Sequence, residues 1–300
     1  MPQAETEQVK QIWIDFAESL APPAGIPEWR IGFDKMCEQF DLAEGATFEQ
    51  VDAGGVPAIL VTVPESDPSV TVQWTHSGGY IFGSAAGYRS FGSQLAKVAG
   101  ARVLLVDYSL APEHVYPTCV DENVGAYRWL LAQGAAPGKV VLGGDSAGGG
   151  LATATLLALR DAGDPSPAGL VAVSPLTDHT LSGTSMKERA DRDPVASEDM
   201  LAALGGLYRG DASAEDPYIS PIFGDLSGLA PMLVLVGSEE VLHDDSTRLV
   251  ERTTAAGGDA RLLVGEGQAH IWPLFNTILP EGREALGEIG RFVQARAAAS

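Results

Sequence analysis

The chain has 300 residues, 45% of them hydrophobic, and carries 40 acidic against 19 basic side chains for a formal net charge of -21. That length can bury a full core within one domain. The charge repels nucleic acid, anionic membrane surfaces and polyanionic substrates, so a small neutral molecule is the expected partner; it also keeps the surface solvated and leaves homodimer formation open. The only two cysteines, Cys37 and Cys119, are far apart and lack metal-ligand spacing, so each reads as a small buried hydrophobe. Residues 1–10 are polar and acidic where a secretory signal would be basic and then apolar, and no apolar run approaches the length of a membrane span. A soluble, cytoplasmic protein is the expectation.

In chain order, Ile12, Trp13, Phe16 and Leu20 recur at helical spacing over 9–20, and Ala21, Pro22 and Pro23 stop the run, which predicts an amphipathic helix. After Phe48 the character changes: 55–63 and 70–74 are short apolar or alternating runs bounded by Gly, Pro and Asp, the punctuation of strands. A strand is then expected at 102–106, a helix at 120–132, a strand at 139–142, a helix at 150–160 and a strand at 170–173. Between 178 and 216 the pattern turns irregular and charged, with short helices expected at 186–193 and 200–208; an insertion there would lie over the sheet as a lid. The rhythm resumes with a strand at 232–236, a helix at 245–256, a strand at 260–264 and a helix at 281–297. Strands alternating with helices need crossover connections. The prediction is therefore one α/β domain over 1–300: a mostly parallel central sheet, helices on both faces, and a small helical lid from 1–45 and about 178–216.

The expected strand at 139–142 runs into Gly144-Asp145-Ser146-Ala147-Gly148, and a helix of small and apolar residues follows. Strand, sharp turn and helix are the context of a nucleophile elbow, in which flanking glycines let the backbone turn tightly and expose the serine. Taken alone the string is also a Gly-rich turn with a serine N-cap; a phosphate loop is disfavoured because the GK[ST] ending is missing. Upstream, the run 70–74 leads into His76-Ser77-Gly78-Gly79-Tyr80. Acyl transfer needs backbone N–H donors aimed at the oxygen that becomes charged, so Gly78, Gly79 and Ala147 are the candidate oxyanion hole.

With both motifs in this order the chain resembles the hormone-sensitive-lipase-like esterases, whose hallmark is His-Gly-Gly-Gly ahead of Gly-Asp-Ser-Ala-Gly. The likeness continues through Asp107, Tyr108, Ala111, Pro112, Glu113 and His114, and through Ser174, Pro175, Thr177 and Asp178, so it covers the chain from about Val51 onward. It departs from the family at Ser77, which replaces the first glycine, and at Ser109, where arginine is usual. The family's donors are the second and third glycines, which match Gly78 and Gly79. The resemblance implies an α/β-hydrolase fold and a carboxylesterase-type serine hydrolase, and residues 84–89 and 174–185 resemble the branch acting on lactones and small esters. The short stretch 178–216, without a long amphipathic flap, argues for short to medium acyl chains, and no motif calls for a metal or organic cofactor. It gives His76 the role of holding the oxyanion loop.

In this fold the order is serine, acid, histidine. Among five histidines, His270 follows the expected strand at 260–264 through a short loop and so reaches the carboxyl edge of the sheet. His114 reads as a structural hydrogen-bonder, while His179 and His243 have no assigned chemistry. The loop after the strand at 232–236 offers four carboxylates: Glu239, Glu240, Asp244 and Asp245. The family pattern Asp-x-Leu-x-Asp, registered through Leu242, implies Glu240 as the acid, with Asp244 as the alternative. Asp145, Asp107 and Glu113 read as loop organisers. The apolar candidates for the pocket wall are Trp13, Phe16, Tyr80, Phe82, Met186, Tyr208, Trp272 and Phe275. An amidase or transacylase would use the same residues. A non-catalytic receptor of the same fold would lack the histidine, which is retained here.

Overall fold

A computed structural model describes residues 4–21 and 24–299. Helix α1 (Ala4–Ser19) buries Val9, Trp13 and Phe16; of the stripe read from the sequence Trp13 and Phe16 are buried, while Ile12 and Leu20 are partly buried against the core. Pro22 and Pro23, on which that reading ended the run, lie outside the described residues, as do 1–3 of the expected lid. A second helix, α2 (Ile26–Glu38), was not anticipated. It starts on Pro27 in its first turn, where a missing N–H costs nothing, and the Glu28 carboxylate accepts the Gly25 N–H at 3.0 Å. It buries Phe33, Met36 and Cys37.

Eight strands form one sheet in the order β1-β2-β4-β3-β5-β6-β7-β8. They are β1 (Thr47–Asp52), β2 (Pro57–Thr62), β3 (Asp67–Thr75), β4 (Ala101–Val106), β5 (Val140–Asp145), β6 (Gly169–Val173), β7 (Met232–Gly237) and β8 (Ala260–Gly265). The β1–β2 and β2–β4 pairs are antiparallel and the other five are parallel. β5, β6 and β7 are buried along their whole length, which is why they read as continuous apolar runs without alternation. Helices α3 (Arg89–Ala99) and α9 (Pro280–Ala298) pack together on one face; α4 (Thr118–Ala132) and α5 (Ala147–Asp161) pack on the other, with α8 (His243–Ala255) beside them. The expected α/β architecture is the one observed.

Helix α3 was not anticipated; its buried face mixes Phe91 and Leu95 with small residues. Ser90, Gly92 and Ser93 are all buried, the Ser93 hydroxyl accepts the Ala43 N–H, and Leu105 crosses so closely over Gly92 that a Cβ there would meet it at 3.0 Å. Between β6 and β7 the predicted helix 186–193 shrinks to the single turn α6 (Ser185–Glu188); beyond it Asp193 accepts the N–H groups of Val195 and Ala196 in a local turn. The second, α7 (Glu198–Arg209), begins on Ser197, whose hydroxyl accepts the Met200 N–H. Among the described residues no helix is long and apolar enough to cross a membrane.

The register brings the chemistry to one edge. Thr75 pairs with both Val106 and Gly144, Asp145 pairs with Val173, Val173 with Leu235, and Gly237 with Gly265. The loops after β3, β5, β6, β7 and β8 therefore open on the same carboxyl edge, where parallel sheets build their sites.

Candidate active site

Ser146 is the hinge between β5 and α5, at φ 55 and ψ -122. A non-glycine residue held there stores roughly 1–3 kcal/mol of strain, so its surroundings must hold it. Its N–H donates to the Val173 carbonyl (2.8 Å) and its own carbonyl accepts from Leu176 (3.0 Å), pinning the turn against the end of β6. The glycines flanking it are needed for close approach rather than for φ. A Cβ on Gly144 would lie 2.2 Å from the Gly148 carbonyl, and one on Gly148 would lie 2.1 Å from that of Thr75.

The turn exposes the Ser146 hydroxyl to His270, with Oγ to Nε2 at 2.8 Å. The other ring nitrogen, Nδ1, lies 2.7 Å from Glu240 Oε2. Glu240 is fully buried, and its second oxygen, Oε1, accepts the Ser174 hydroxyl at 2.7 Å and the Gly237 N–H. Ser174 Oγ in turn accepts the N–H of Ile271, next to His270, at 3.1 Å. Burial of the imidazole lowers its pKa, but the hydrogen bond and charge of Glu240, helped by Asp193 and Asp145, outweigh it, so the His270 pKa is raised above its ordinary value. Asp244 points elsewhere: its Oδ2 accepts the Thr184 hydroxyl (3.0 Å) and the Ser185 N–H (3.1 Å), bracing the segment between β6 and β7.

Gly78 and Gly79 line the same cavity as Ser146 and His270. Gly78 sits at φ 120, where a Cβ would strike the Phe82 carbonyl at 2.0 Å, so only glycine fits. Among the described residues neither glycine N–H is used by a protein acceptor. The N–H of Ala147, first residue of α5, has no intrahelical partner by construction.

Behind the glycines, the buried His76 ring lies against Tyr108 (4.3 Å between centroids), and its Nδ1 is 2.7 Å from the Ser77 carbonyl. Burial lowers its pKa, so it is a neutral brace. The Ser77 hydroxyl bonds to the Tyr88 hydroxyl at 2.6 Å, and Tyr88 donates to Asp145 Oδ2, whose other oxygen accepts the Trp74 indole N–H at 2.9 Å. Burial pushes the Asp145 pKa up to about 6, against the hydrogen bonds from Tyr88, Trp74 and Ser77. Asp107 accepts the Ala85 N–H, and Glu113 pairs with Arg30 of α2 at 2.6 Å. These three carboxylates organise loops, as read from the sequence. His114, expected to be a structural hydrogen-bonder, is exposed.

The cavity beside Ser146 is walled by Trp13 and Phe16 of α1, Phe33 of α2, Phe82, Leu176, Val195, Ala196, Ile271, and Met200, Leu201 and Leu204 of α7. Of the predicted wall, Trp13, Phe16 and Phe82 are there, whereas Tyr80, Met186, Tyr208, Trp272 and Phe275 are core. Tyr80 adopts φ 65, which turns its ring away to stack on Tyr208 at 3.8 Å. Phe275 packs edge-on beneath Trp13 at 5.5 Å. Leu204 packs directly on Gly79, where a Cβ would lie 2.6 Å from its Cδ1. The cavity volume is about 40 Å³.

Residues 71–274 match the family model described as the α/β-hydrolase fold. An acetyl-hydrolase of Streptomyces hygroscopicus is 39% identical over 265 residues, covering 88% of each chain. An esterase of Acinetobacter venetianus is 33% identical over 275 residues, covering 91% of this chain and 89% of its own. The crystal structure of an esterase from the bacterial hormone-sensitive lipase family superposes with a TM-score of 0.96 at 38% identity, over 98% of this chain and 99% of that one. The chain thus belongs to the α/β-hydrolase family, among the esterases of its hormone-sensitive-lipase branch.

Proposed function

We propose that the protein hydrolyses short-chain carboxylic esters, lactones of similar size included, through an acyl-enzyme on Ser146. His270 is the base, Glu240 the acid that orients it, and the N–H groups of Gly78, Gly79 and Ala147 the oxyanion hole. The observation that carries this reading is the unbroken chain from Glu240 through His270 to Ser146, at 2.7 and 2.8 Å, ending in an apolar cavity that Gly78 and Gly79 also line. His270 Nε2 takes the Ser146 proton as Oγ attacks the carbonyl, then returns it to the leaving alcohol. Water, deprotonated by the same nitrogen, releases the acid. Throughout, Glu240 accepts a hydrogen bond from Nδ1–H and stabilises the imidazolium.

We read the whole chain as one catalytic domain whose lid comes from 1–45 and 178–216, because α1, α2 and α7 supply cavity walls. The preference for short acyl groups follows from the size of that cavity: at about 10–15 Å³ for each water, 40 Å³ admits a few atoms before a wall must move. With p-nitrophenyl esters of rising chain length, kcat/KM should peak at acetate to butyrate and fall beyond. Faster turnover of long-chain triglyceride would overturn the reading. Leu204→Ala should then raise the hexanoate-to-acetate ratio of kcat/KM by roughly tenfold, the value of a methylene or two in an apolar pocket.

Ser174 has a measurable part in this scheme although it touches no substrate. Its hydroxyl joins the acid to the loop of the base, and a hydrogen bond to a charged group is worth about 1.5–3 kcal/mol. Ser174→Ala should therefore lower kcat on the order of ten- to a hundredfold with little change in KM. Wild-type kcat in that variant would remove Ser174 from the scheme.

A further inference from the structure

The hydrolytic reading makes no use of Asp193, which lies on the lid segment between α6 and α7. Its Oδ1 accepts the N–H groups of Val195 (2.9 Å) and Ala196 (3.0 Å), both cavity walls, and its Oδ2 accepts the N–H of Val241 (2.9 Å), the residue after Glu240. One carboxylate thus ties the substrate-facing wall to the loop of the acid. Among the described residues no cation pairs with it. The neighbouring arginines are engaged elsewhere: Arg189 donates to the Ser238 carbonyl at 2.8 Å, and Arg192 lies 3.8 Å from Glu239.

Glu240 after β7 contacts His270 directly, and two further carboxylates, Asp193 from the lid and Asp145 at the end of β5, act on it through their charge. Enclosure raises the Asp193 pKa, and the neighbouring imidazole opposes that rise. A carboxylate on three N–H donors with no cation of its own is placed to act on the one group nearby that becomes positive in the reaction.

We propose that Asp193 is a positioning residue that couples the acyl wall to the base: it holds the turn at Val195 and Ala196 in register with the Glu240 loop, and its negative charge favours the imidazolium form of His270. This inference rests on the triad reading above.

The test is the pH dependence of kcat/KM for p-nitrophenyl acetate and butyrate on the full chain, with active sites counted by a fluorophosphonate. The parent, Asp193→Asn and Asp193→Ala are compared. The base must be neutral, so kcat/KM falls as pH drops through the His270 pKa. Removing a negative charge lowers that pKa, so in Asp193→Asn, which keeps the size and an acceptor oxygen, the acid limb should move down by about half a pH unit. Asp193→Ala should also raise KM for butyrate several-fold more than for acetate, because the wall turn loses its cap. An unmoved acid limb in Asp193→Asn, with every site labelled, overturns the coupling and leaves the triad reading standing. If Asp193→Ala fails to fold, the asparagine profile alone decides. A parent in which Ser146 is not labelled sinks the triad reading, and this inference with it.

Discussion

Ser146→Ala is expected to lose roughly 10⁵-fold or more in kcat while unfolding at the temperature of the parent, since nucleophile and base act as a unit and their removal is strongly non-additive. The hydroxyl bonds to His270, and alanine accepts the same strained φ no worse than serine, so the fold loses little. His270→Ala should cost as much activity but should also lower Tm. It strands the fully buried Glu240 with one oxygen unpaired, and leaving a buried acceptor unsatisfied costs about 1–3 kcal/mol, more when it is charged. The pair of variants thus separates chemistry from stability. Activity of either within about tenfold of the parent, once contaminating hydrolases are excluded, would remove the nucleophile and base from their roles.

Glu240→Gln should cut kcat by on the order of a hundredfold or more with KM nearly unchanged. The reason lies in the two oxygens of the acid. Oε1 accepts the Ser174 hydroxyl and the Gly237 N–H, so a glutamine will place its carbonyl there and turn its amino group toward His270. Nδ1 must then accept, which moves the ring proton to Nε2, and a nitrogen that already carries a proton cannot take one from Ser146. Asp244→Asn is the control: an amide oxygen can still take the Thr184 hydroxyl and Ser185 N–H, so kcat should fall by less than about fivefold. A larger loss at Asp244 than at Glu240 would exchange their roles. Steady-state kinetics on both variants, with circular dichroism to confirm folding, is sufficient.

The elements and candidates most legible in the sequence are those whose partners are close along the chain. Gly144 to Gly148 announce a turn because the clashes that require glycine are with residues of the same strand, turn and helix, or of the strand alongside. The α/β alternation was readable because the central strands are apolar throughout. Glu240 was readable only through a family register, since four carboxylates crowd its loop and composition cannot choose among them. Ser174 entered only as part of the family likeness and Asp193 not at all, because the contacts that tie them to the site, with Glu240 and Val241, lie 66 and 48 residues away. The wall of the cavity was misread for a related reason. Tyr80 follows Gly79 directly, but a positive φ at Tyr80 sends its ring to the far side, so adjacency in sequence was the opposite of adjacency in space. Helix α2 did carry a signal, with Ile26, Trp29, Phe33 and Met36 at helical spacing, but it sits in a segment rich in Pro and Gly.

The serine at position 77, where the family usually has glycine, has a thermodynamic consequence. Its hydroxyl is the first link of a buried relay through Tyr88 to Asp145, the residue before the nucleophile. The segment that carries Gly78 and Gly79 and the segment that carries Ser146 are therefore fastened to each other through side chains. A hydrolase that gathered these groups only on binding would lose part of its binding free energy to ordering them. On the proposed reading, the order here is set when the chain folds, so assembling the hole adds little to the entropic barrier of acyl transfer.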